Sequence, residues 1–181
     1  MELETRRLLL RPLRDNDAPA MARALNNYEV AKNLSRVPFP YTFEDAAQFI
    51  DLQKGFDARS RVLAIAFRAA PDELIGVISY ERNADGDGFE FGYWLGESCW
   101  GMRIMMEAAR AMVAQAFLSG DVAVLTSGYW NPVSGLLLRN LGFIETQPTA
   151  IFSAAQNRDV PAVKLRLTWG MWIAQQKSRA A

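Results

Sequence analysis

The sequence predicts an α/β fold in which a mixed, mostly antiparallel sheet of about seven strands is flanked by about four helices. Three observations support this prediction. Short apolar runs alternate with segments of helical spacing, three successive strand patterns occupy the middle of the chain, and a β-α-β pattern follows them. Successive strands joined by tight turns pair antiparallel, whereas a β-α-β unit gives a parallel pair, so the sheet should be mixed.

The first half of the chain provides one strand and the helices that follow it. These segments are a strand over 4–13, a helix over 15–25, a short helical piece over 28–34 and a helix over 42–54. Asp15 or Asp17 can cap the first helix, because a short acidic side chain accepts hydrogen bonds from the free N–H groups of a first turn. Thr42 and Asp45 have the spacing of a capping box, which predicts the start of the helix over 42–54.

The second half provides the other strands and two helices. The predicted strands cover 61–67, 73–80, 89–95, 122–125, 143–152 and 160–169, and the helices between them cover 103–118 and 131–140. Turns are predicted at Pro71–Asp72 and over 85–88. Asn131 and Gly142 are residue types that begin and end helices. We expect a single domain over 1–181, with 173–181 as a polar C-terminal tail.

The composition excludes several classes of function. Lys and Arg together number 20, as do Asp and Glu, so the chain lacks the positive charge that a nucleic-acid binder uses. No apolar run approaches the roughly 18 residues that span a bilayer. The chain has no histidine, which excludes His-based nucleophilic machinery and most zinc sites; we expect no metal. A single cysteine, Cys99, fits a reducing cytoplasm.

The segment from Glu90 to Met112 has the clearest local pattern. An apolar strand leads through a turn containing Gly101 into the first turns of a helix. The first N–H groups of a helix have no internal partner, and the aligned peptide dipoles leave partial positive charge there. A ligand that carries phosphate is therefore predicted, with a purely structural turn as the alternative.

Several strings in this chain resemble those of the GCN5-related N-acetyltransferases (GNAT), within the group that includes RimJ and RimL. In family order, they are ETRRLLLRPL, VPFPYTFEDA, LIGVISY, EFGYWLGESCWG with EAAR, and NPVSGLLLRNLGF, and they extend from Glu4 to about Thr168. The most specific is Asn-x-x-Ser ending in Leu-Gly-Phe, from Asn131 to Phe143. The resemblance implies a GNAT fold and transfer of an acetyl group from acetyl-CoA to a primary amine by direct attack in a ternary complex.

The resemblance also implies which residues bind acetyl-CoA. The pantetheine would lie along the predicted strand, and the pyrophosphate would lie on the loop before the helix. The implied cofactor-binding residues are Tyr93, Trp94, Leu95, Trp100, Gly101, Met102, Arg103, Ile104 and Asn131. Tyr93, Trp94 and Leu95 would act mainly through their backbone, whereas Asn131 would also cap the helix that follows it.

The chain departs from the family pattern in the predicted phosphate loop and in the segment after the Asn-x-x-Ser string. Arg103 stands where a small residue is usual, Ser98 where Arg or Gln is usual, and Gly135 and Leu136 where basic residues are common. Either the Arg103 guanidinium binds the phosphates and replaces the lost contacts, or the chain is a non-catalytic binding module with a degenerate site.

Two residues would carry the chemistry that the resemblance implies. Ser134 would protonate the leaving thiolate, and Glu90 would take the proton of the amine through water. The structural alternatives are a solvent-facing or back-bonded Ser134 and a Glu90 that pairs with an arginine. Cys99 is interpreted as a packing residue, with an acyl-carrying nucleophile as the alternative.

The resemblance also implies that the acceptor enters opposite the cofactor, between residues 28–43 and the loop 153–160. Tyr28, Phe39 and Tyr41 could line that side and are the predicted substrate-binding residues. The resemblance makes a protein N-terminus the first expectation, with a small amine or amino acid as the alternative. The sequence shows no obvious acidic cluster there, which disfavours polyamines and aminoglycosides. Exposed ends of the last strands make a homodimer plausible.

Overall fold

The computed structural model describes residues 2–55, 59–83, 86 and 88–180, which form one eight-stranded sheet and six α-helices. The strands are β1 (Leu3–Glu4), β2 (Leu8–Pro12), β3 (Arg61–Phe67), β4 (Ala70–Arg82), β5 (Phe89–Leu95), β6 (Val124–Tyr129), β7 (Ile144–Ser153) and β8 (Arg158–Thr168). The helices are α1 (Ala18–Leu25), α2 (Tyr28–Ala31), α3 (Phe43–Gln53), α4 (Ile104–Leu118), α5 (Pro132–Leu141) and α6 (Trp169–Ala180).

The strand order across the sheet is β1-β2-β3-β4-β5-β6-β8-β7. All neighbouring strands pair antiparallel except β5 and β6, which pair parallel. This confirms the predicted mixed and mostly antiparallel sheet. There is one more strand than predicted, because the first segment turns between β1 and β2, where the Thr5 amide donates to the Leu8 carbonyl at 2.9 Å.

Three local predictions need correction. The turn predicted at Pro71–Asp72 is wrong, because β4 already begins at Ala70 and its pairing with β3 shifts register at Ala66 and Phe67, an irregularity that tolerates proline in a strand. Asp17 precedes α1 but does not cap it, since its carboxylate is bound elsewhere. The predicted strand over 122–125 begins later, at Val124.

Other boundaries agree with the sequence patterns. The Thr42–Asp45 capping box is present, with Thr42 Oγ1 accepting from the Asp45 amide at 3.2 Å and Asp45 Oδ2 accepting from the Thr42 amide at 2.8 Å. Residues 173–180, predicted as a polar tail, continue α6. Of the turn predicted over 85–88, positions 85 and 87 lie outside the described residues.

Two apolar clusters pack on opposite faces of the sheet. One lies under α4 and α5 and contains Ile78, Phe91 and Met112. The other lies under α1 and α3 and contains Met21 and Val77. Alternation along the strands therefore directs successive residues of β4 and β5 to different faces.

The parallel strands β5 and β6 separate after two residue pairs. They pair at Phe89–Leu125 and at Glu90–Thr126, and no strand of the described chain pairs with this edge of β5 beyond that point. The Ser127 hydroxyl, rather than a backbone amide, donates to the Phe91 carbonyl at 2.9 Å. The remainder of β5, up to Leu95, thus faces a gap in the middle of the sheet.

Candidate active site

A cavity of about 450 Å³ lies beside this gap, on the face of the sheet covered by α1 and α3. It brings together residues that are distant in sequence: Glu90 and Trp94 from β5, Ser134 from α5 and Tyr41 from the segment before α3. Tyr93 also lines it. The structure therefore places the two predicted catalytic residues, Ser134 and Glu90, around one space.

The floor of the cavity contains two glutamates on neighbouring strands. Glu81 of β4 is the register partner of Glu90 of β5, and both line the cavity. The carboxylate of Glu81 accepts a hydrogen bond from Ser79 Oγ at 3.1 Å and lies 3.5 Å from Arg36 Nη2. Glu81 was missed by the sequence analysis, because only the strand register shows that it stands beside Glu90.

Ser134 forms a close pair with a tyrosine. Its Oγ lies 2.7 Å from Tyr93 Oη, within the first turn of α5. Burial raises the pKa of Tyr93 to about 12, and the hydrogen bond between Tyr93 and Ser134 only partly opposes this. The tyrosine therefore stays protonated at neutral pH and can act as a donor. The sequence analysis assigned Tyr93 to the cofactor through its backbone only and missed its hydroxyl.

Asn131 caps α5 as predicted. Its Oδ1 accepts from the Val133 amide at 2.9 Å, and its Nδ2 donates to Asn33 Oδ1 at 3.1 Å. Because Asn33 follows α2, the same side chain also fixes the segment that covers the cavity. Contact between Asn131 and pantetheine stays a prediction.

The two segments predicted to wall the acceptor side are joined to each other. The Ala154 amide donates to the Ser35 carbonyl at 2.9 Å, and Gln156 Nε2 donates to the Lys32 carbonyl at 2.9 Å. The Lys32 carbonyl also accepts from Trp130 Nε1 at 3.1 Å. These bonds form a roof between the segment after α2 and the turn from β7 to β8. Entry of the acceptor between the two segments stays a prediction.

The predicted substrate-binding aromatics separate into two groups. Tyr41 lines the cavity, and burial raises its pKa to about 12. Tyr28 and Phe39 do not line it; their rings pack edge to face, with centroids 5.3 Å apart, and both remain exposed. Of the three aromatic residues, only Tyr41 lines the cavity.

The loop before α4 has an unusual backbone. Gly101 and Arg103 both have positive φ, 74° and 57° respectively. Glycine adopts this conformation freely, whereas it costs a side-chain-bearing residue about 1–2 kcal/mol. Arg103 occupies the cap position without a side-chain cap, unlike Asn27, Thr42 and Asn131 at other helices. The first N–H groups of α4 are therefore available to an anion.

The other residues predicted to bind the cofactor in this loop differ in their contacts and in their exposure. Trp100 Nε1 donates to the Leu95 carbonyl at 2.8 Å, so that carbonyl is already engaged within the protein. Ile104 is buried and Met102 is exposed. Among the described residues, none forms a hydrogen bond or ion pair with the Arg103 guanidinium, which is exposed beside the helix terminus.

An ion pair that the sequence analysis missed anchors this loop. Arg7 Nε binds Glu107 Oε2 at 2.7 Å, and Arg7 Nη1 donates to the Met102 carbonyl at 3.1 Å. Glu107 Oε1 also accepts from Thr5 Oγ1 and from the Arg7 amide, at 2.6 and 2.8 Å. Burial opposes ionisation of Glu107, but these hydrogen bonds outweigh it and lower its pKa.

Replacing Glu107 by Gln should destabilise the protein by about 1–3 kcal/mol at pH 7, because it weakens several hydrogen bonds to a charged group. A lowered pKa in the folded state gives stability that is present above the unfolded pKa and lost as pH falls through the folded value. The difference between Glu107→Gln and the wild type should therefore shrink below about pH 4. Urea unfolding from pH 7 to pH 3 measures this. A difference that stays constant with pH contradicts the assignment.

Gly135, one of the departures from the family pattern, has a packing role. A Cβ atom at this position would overlap the ring of Tyr129. Tyr129 Oη donates to Glu145 Oε1 at 2.7 Å, and Arg139 Nη1 binds the same oxygen at 2.7 Å. Any side chain at position 135 is thus incompatible with this position of the Tyr129 ring.

The open sheet, the uncapped α4 terminus and the shared cavity agree with one class of protein. A family model described as the acetyltransferase (GNAT) domain matches residues 7–144. The chain therefore belongs to the GNAT acetyltransferase family, which confirms the family predicted from the sequence. No protein with a curated description matches the sequence.

Solved structures similar to this chain support the same fold. RimL, a ribosomal alpha-N-protein acetyltransferase in complex with coenzyme A, has a TM-score of 0.77 at 18% identity, covering 93% of this chain and 98% of its own. The ribosomal-protein-S5-alanine acetyltransferase from Vibrio fischeri has a TM-score of 0.75 at 18% identity, and the match covers 95% of this chain and 98% of that one. The microcin C7 self immunity acetyltransferase MccE, in complex with acetyl-CoA and AMP, has a TM-score of 0.74 at 16% identity. That match covers 91% of this chain and 93% of the MccE chain.

Across the residues that the structure describes, no helix is both long and apolar enough to cross a membrane.

Proposed function

We propose that this protein transfers an acetyl group from acetyl-CoA to a primary amine by direct attack in a ternary complex. The observation that carries the proposal is the cavity beside the gap between β5 and β6, which Glu90, Tyr93 and Ser134 all line. A carboxylate and a paired hydroxyl are the two functions that the reaction needs, one to accept a proton and one to donate a proton.

Acetyl-CoA would lie in this gap. The unpaired edge of β5 offers the backbone groups of Tyr93 to the amides of pantetheine, as a neighbouring strand would, whereas those of Trp94 face Val77 on β4. The pyrophosphate would lie on the loop from Trp100 to Ile104, against the free N–H groups of α4 and the Arg103 guanidinium. The similar RimL and MccE structures were solved with coenzyme A and acetyl-CoA, which supports acetyl-CoA as the ligand.

Glu90 and the Ser134–Tyr93 pair would share the proton transfers. An α-amine has a pKa near 8 and a lysine amine a pKa near 10.4, so forming the neutral amine at pH 7 costs roughly 1–5 kcal/mol. Glu90 would accept that proton, through water, as the amine nitrogen bonds to the acetyl carbon and the carbon–sulfur bond breaks. Ser134 would donate a proton to the departing sulfur and recover one from Tyr93 Oη, 2.7 Å away. The second proton that the nitrogen loses as the amide forms would return to Tyr93 through water. Acetyl-CoA supplies the activated thioester.

The acceptor proposed first is the N-terminus of a protein or peptide. RimL, a ribosomal alpha-N-protein acetyltransferase, is among the structures similar to this chain and supports this choice. A small amine or amino acid is the alternative, and the 450 Å³ cavity is large enough for one. A cytoplasmic location and a homodimer belong to the same proposal.

Replacing Arg103 by Gly tests the phosphate contact. We expect acetyl-CoA to bind about 10- to 100-fold more weakly, because a charge-assisted hydrogen bond is lost. The free protein should become more stable, because glycine relieves the positive φ. Isothermal titration and thermal unfolding measure the two effects. Arg110→Gln, on the exposed side of α4, is the matched control and should change neither. Tighter binding by Arg103→Gly would show that Arg103 obstructs the site.

A further inference from the structure

We infer that the acceptor is a primary amine without a neighbouring carboxylate and with a large apolar group, and that Glu81 selects it. This deepens the function proposed above and depends on the same cavity being the acceptor site. The inference comes from the two ends of the cavity, which differ in charge and polarity.

The charged end is an acidic pair in which Glu81 is largely enclosed and Glu90 is exposed. Like charges opposite each other on neighbouring strands are unfavourable, and Glu81 and Glu90 are register partners. Among the described residues, Glu81 forms an ion pair with Arg36, whose Nη2 lies 3.5 Å from Glu81 Oε1. Its side chain is 72% exposed, whereas that of Glu81 is 12% exposed, so the cation remains in solvent while the carboxylate is largely enclosed. A primary ammonium, with three donors, can bind both carboxylates.

This charge distribution also discriminates among amines. A free amino acid carries a carboxylate two bonds from its amine, and that group would lie against Glu81 and Glu90. An amide at the same position, as in a peptide or an amino-acid amide, has no such repulsion. The acidic pair therefore favours peptide N-termini and simple amines over free amino acids.

The other part of the cavity is mainly apolar and aromatic. It lies where α1 and α3 cover the sheet. Its lining includes Met21, Leu25, Phe49, Val77 and Trp94, with Asp45 and Gln48 of α3 as polar members. Such a surface gains little from a serine or glycine side chain but gains from burying an aromatic or large aliphatic one. The amine and an apolar group of the acceptor would thus occupy adjoining parts of one space.

Binding of three small ligands tests the inference independently of turnover. With coenzyme A present, calorimetry should show phenylalanine amide binding at least about 10-fold more tightly than serine amide or free phenylalanine. Equal or tighter binding of serine amide or of free phenylalanine would overturn the inference.

Variants assign the effect to the two ends of the cavity. Glu81→Gln should weaken phenylalanine amide about 10-fold or more. Phe49→Ala should weaken phenylalanine amide and leave serine amide unchanged, while Phe43→Ala, on the same helix and outside the cavity lining, should change neither. Equal losses for both amides in Phe49→Ala would contradict the inference. Selective binding without acetyl transfer would contradict the proposed function alone.

Discussion

Replacing Glu90 by Gln should lower kcat at pH 7 by about 10²- to 10⁴-fold, the usual contribution of a positioned general base. Glutamine keeps the size of the side chain and its place on β5 but cannot accept the amine proton. The loss should shrink as pH rises past the pKa of the acceptor amine, about 8 for a chain terminus, because the neutral amine then forms without help. Initial rates from pH 6 to pH 10 with one peptide acceptor measure both effects.

The control for this variant is Glu44→Gln, which alters an exposed carboxylate of α3 outside the cavity lining. It should leave the pH–rate profile unchanged. A Glu90→Gln enzyme whose rate falls equally at pH 7 and pH 10 would show that Glu90 positions the acceptor or supports the strand rather than accepting a proton.

Replacing Arg11 by Met should destabilise the protein by about 3–5 kcal/mol, because it leaves a buried carboxylate without its cation. Arg11 and Asp17 form a bidentate pair at 2.8 and 2.7 Å, and their side chains are 0% and 1% exposed. Arg11 Nε also donates to the Pro71 carbonyl at 2.8 Å, so the guanidinium joins β2, the start of α1 and the start of β4. Urea unfolding at pH 7 measures the loss.

An exposed pair close by provides the matched control. Arg14 Nη1 lies 2.6 Å from Asp72 Oδ1, but the two side chains are 44% and 75% exposed. Solvent screens such a pair, and Arg14→Gln should change stability by no more than about 1 kcal/mol. A similar, small effect for Arg11→Met would contradict the role assigned to the buried pair.

Features that depend on a few neighbouring residues were predictable from the sequence. The capping box of Thr42 and Asp45 and the cap at Asn131 each involve side chains and amides within three positions, and each is present. The glycine turn before α4 is equally local. These contacts form because the backbone groups of a helix terminus need partners close in sequence.

The rest of the site depends on register and on long-range packing. Tyr93 and Ser134 are 41 positions apart in the sequence, and Arg7 and Glu107 are 100 positions apart. No local spacing therefore predicts either pair. Glu81 stands beside Glu90 only because β4 and β5 pair in one particular register. A shift of one residue would turn one of the two carboxylates to the opposite face of the sheet.

The turn predicted at Pro71–Asp72 illustrates how tertiary contacts override local propensity. Proline and aspartate favour turns, yet both lie within β4 here. The irregular pairing near Ala66 tolerates the proline, and Arg11 on β2, two strands away, binds the Pro71 carbonyl. The buried guanidinium thus stabilises an extended conformation that the local sequence does not favour.

The central claim is that the gap between β5 and β6, together with the free terminus of α4, binds acetyl-CoA. Calorimetric titration of the purified protein with acetyl-CoA tests it most directly. We expect one site per chain with a micromolar Kd, followed by acetylation when peptides or small amines are added. No heat of binding up to millimolar acetyl-CoA would contradict the claim and would favour a non-catalytic module of the same fold.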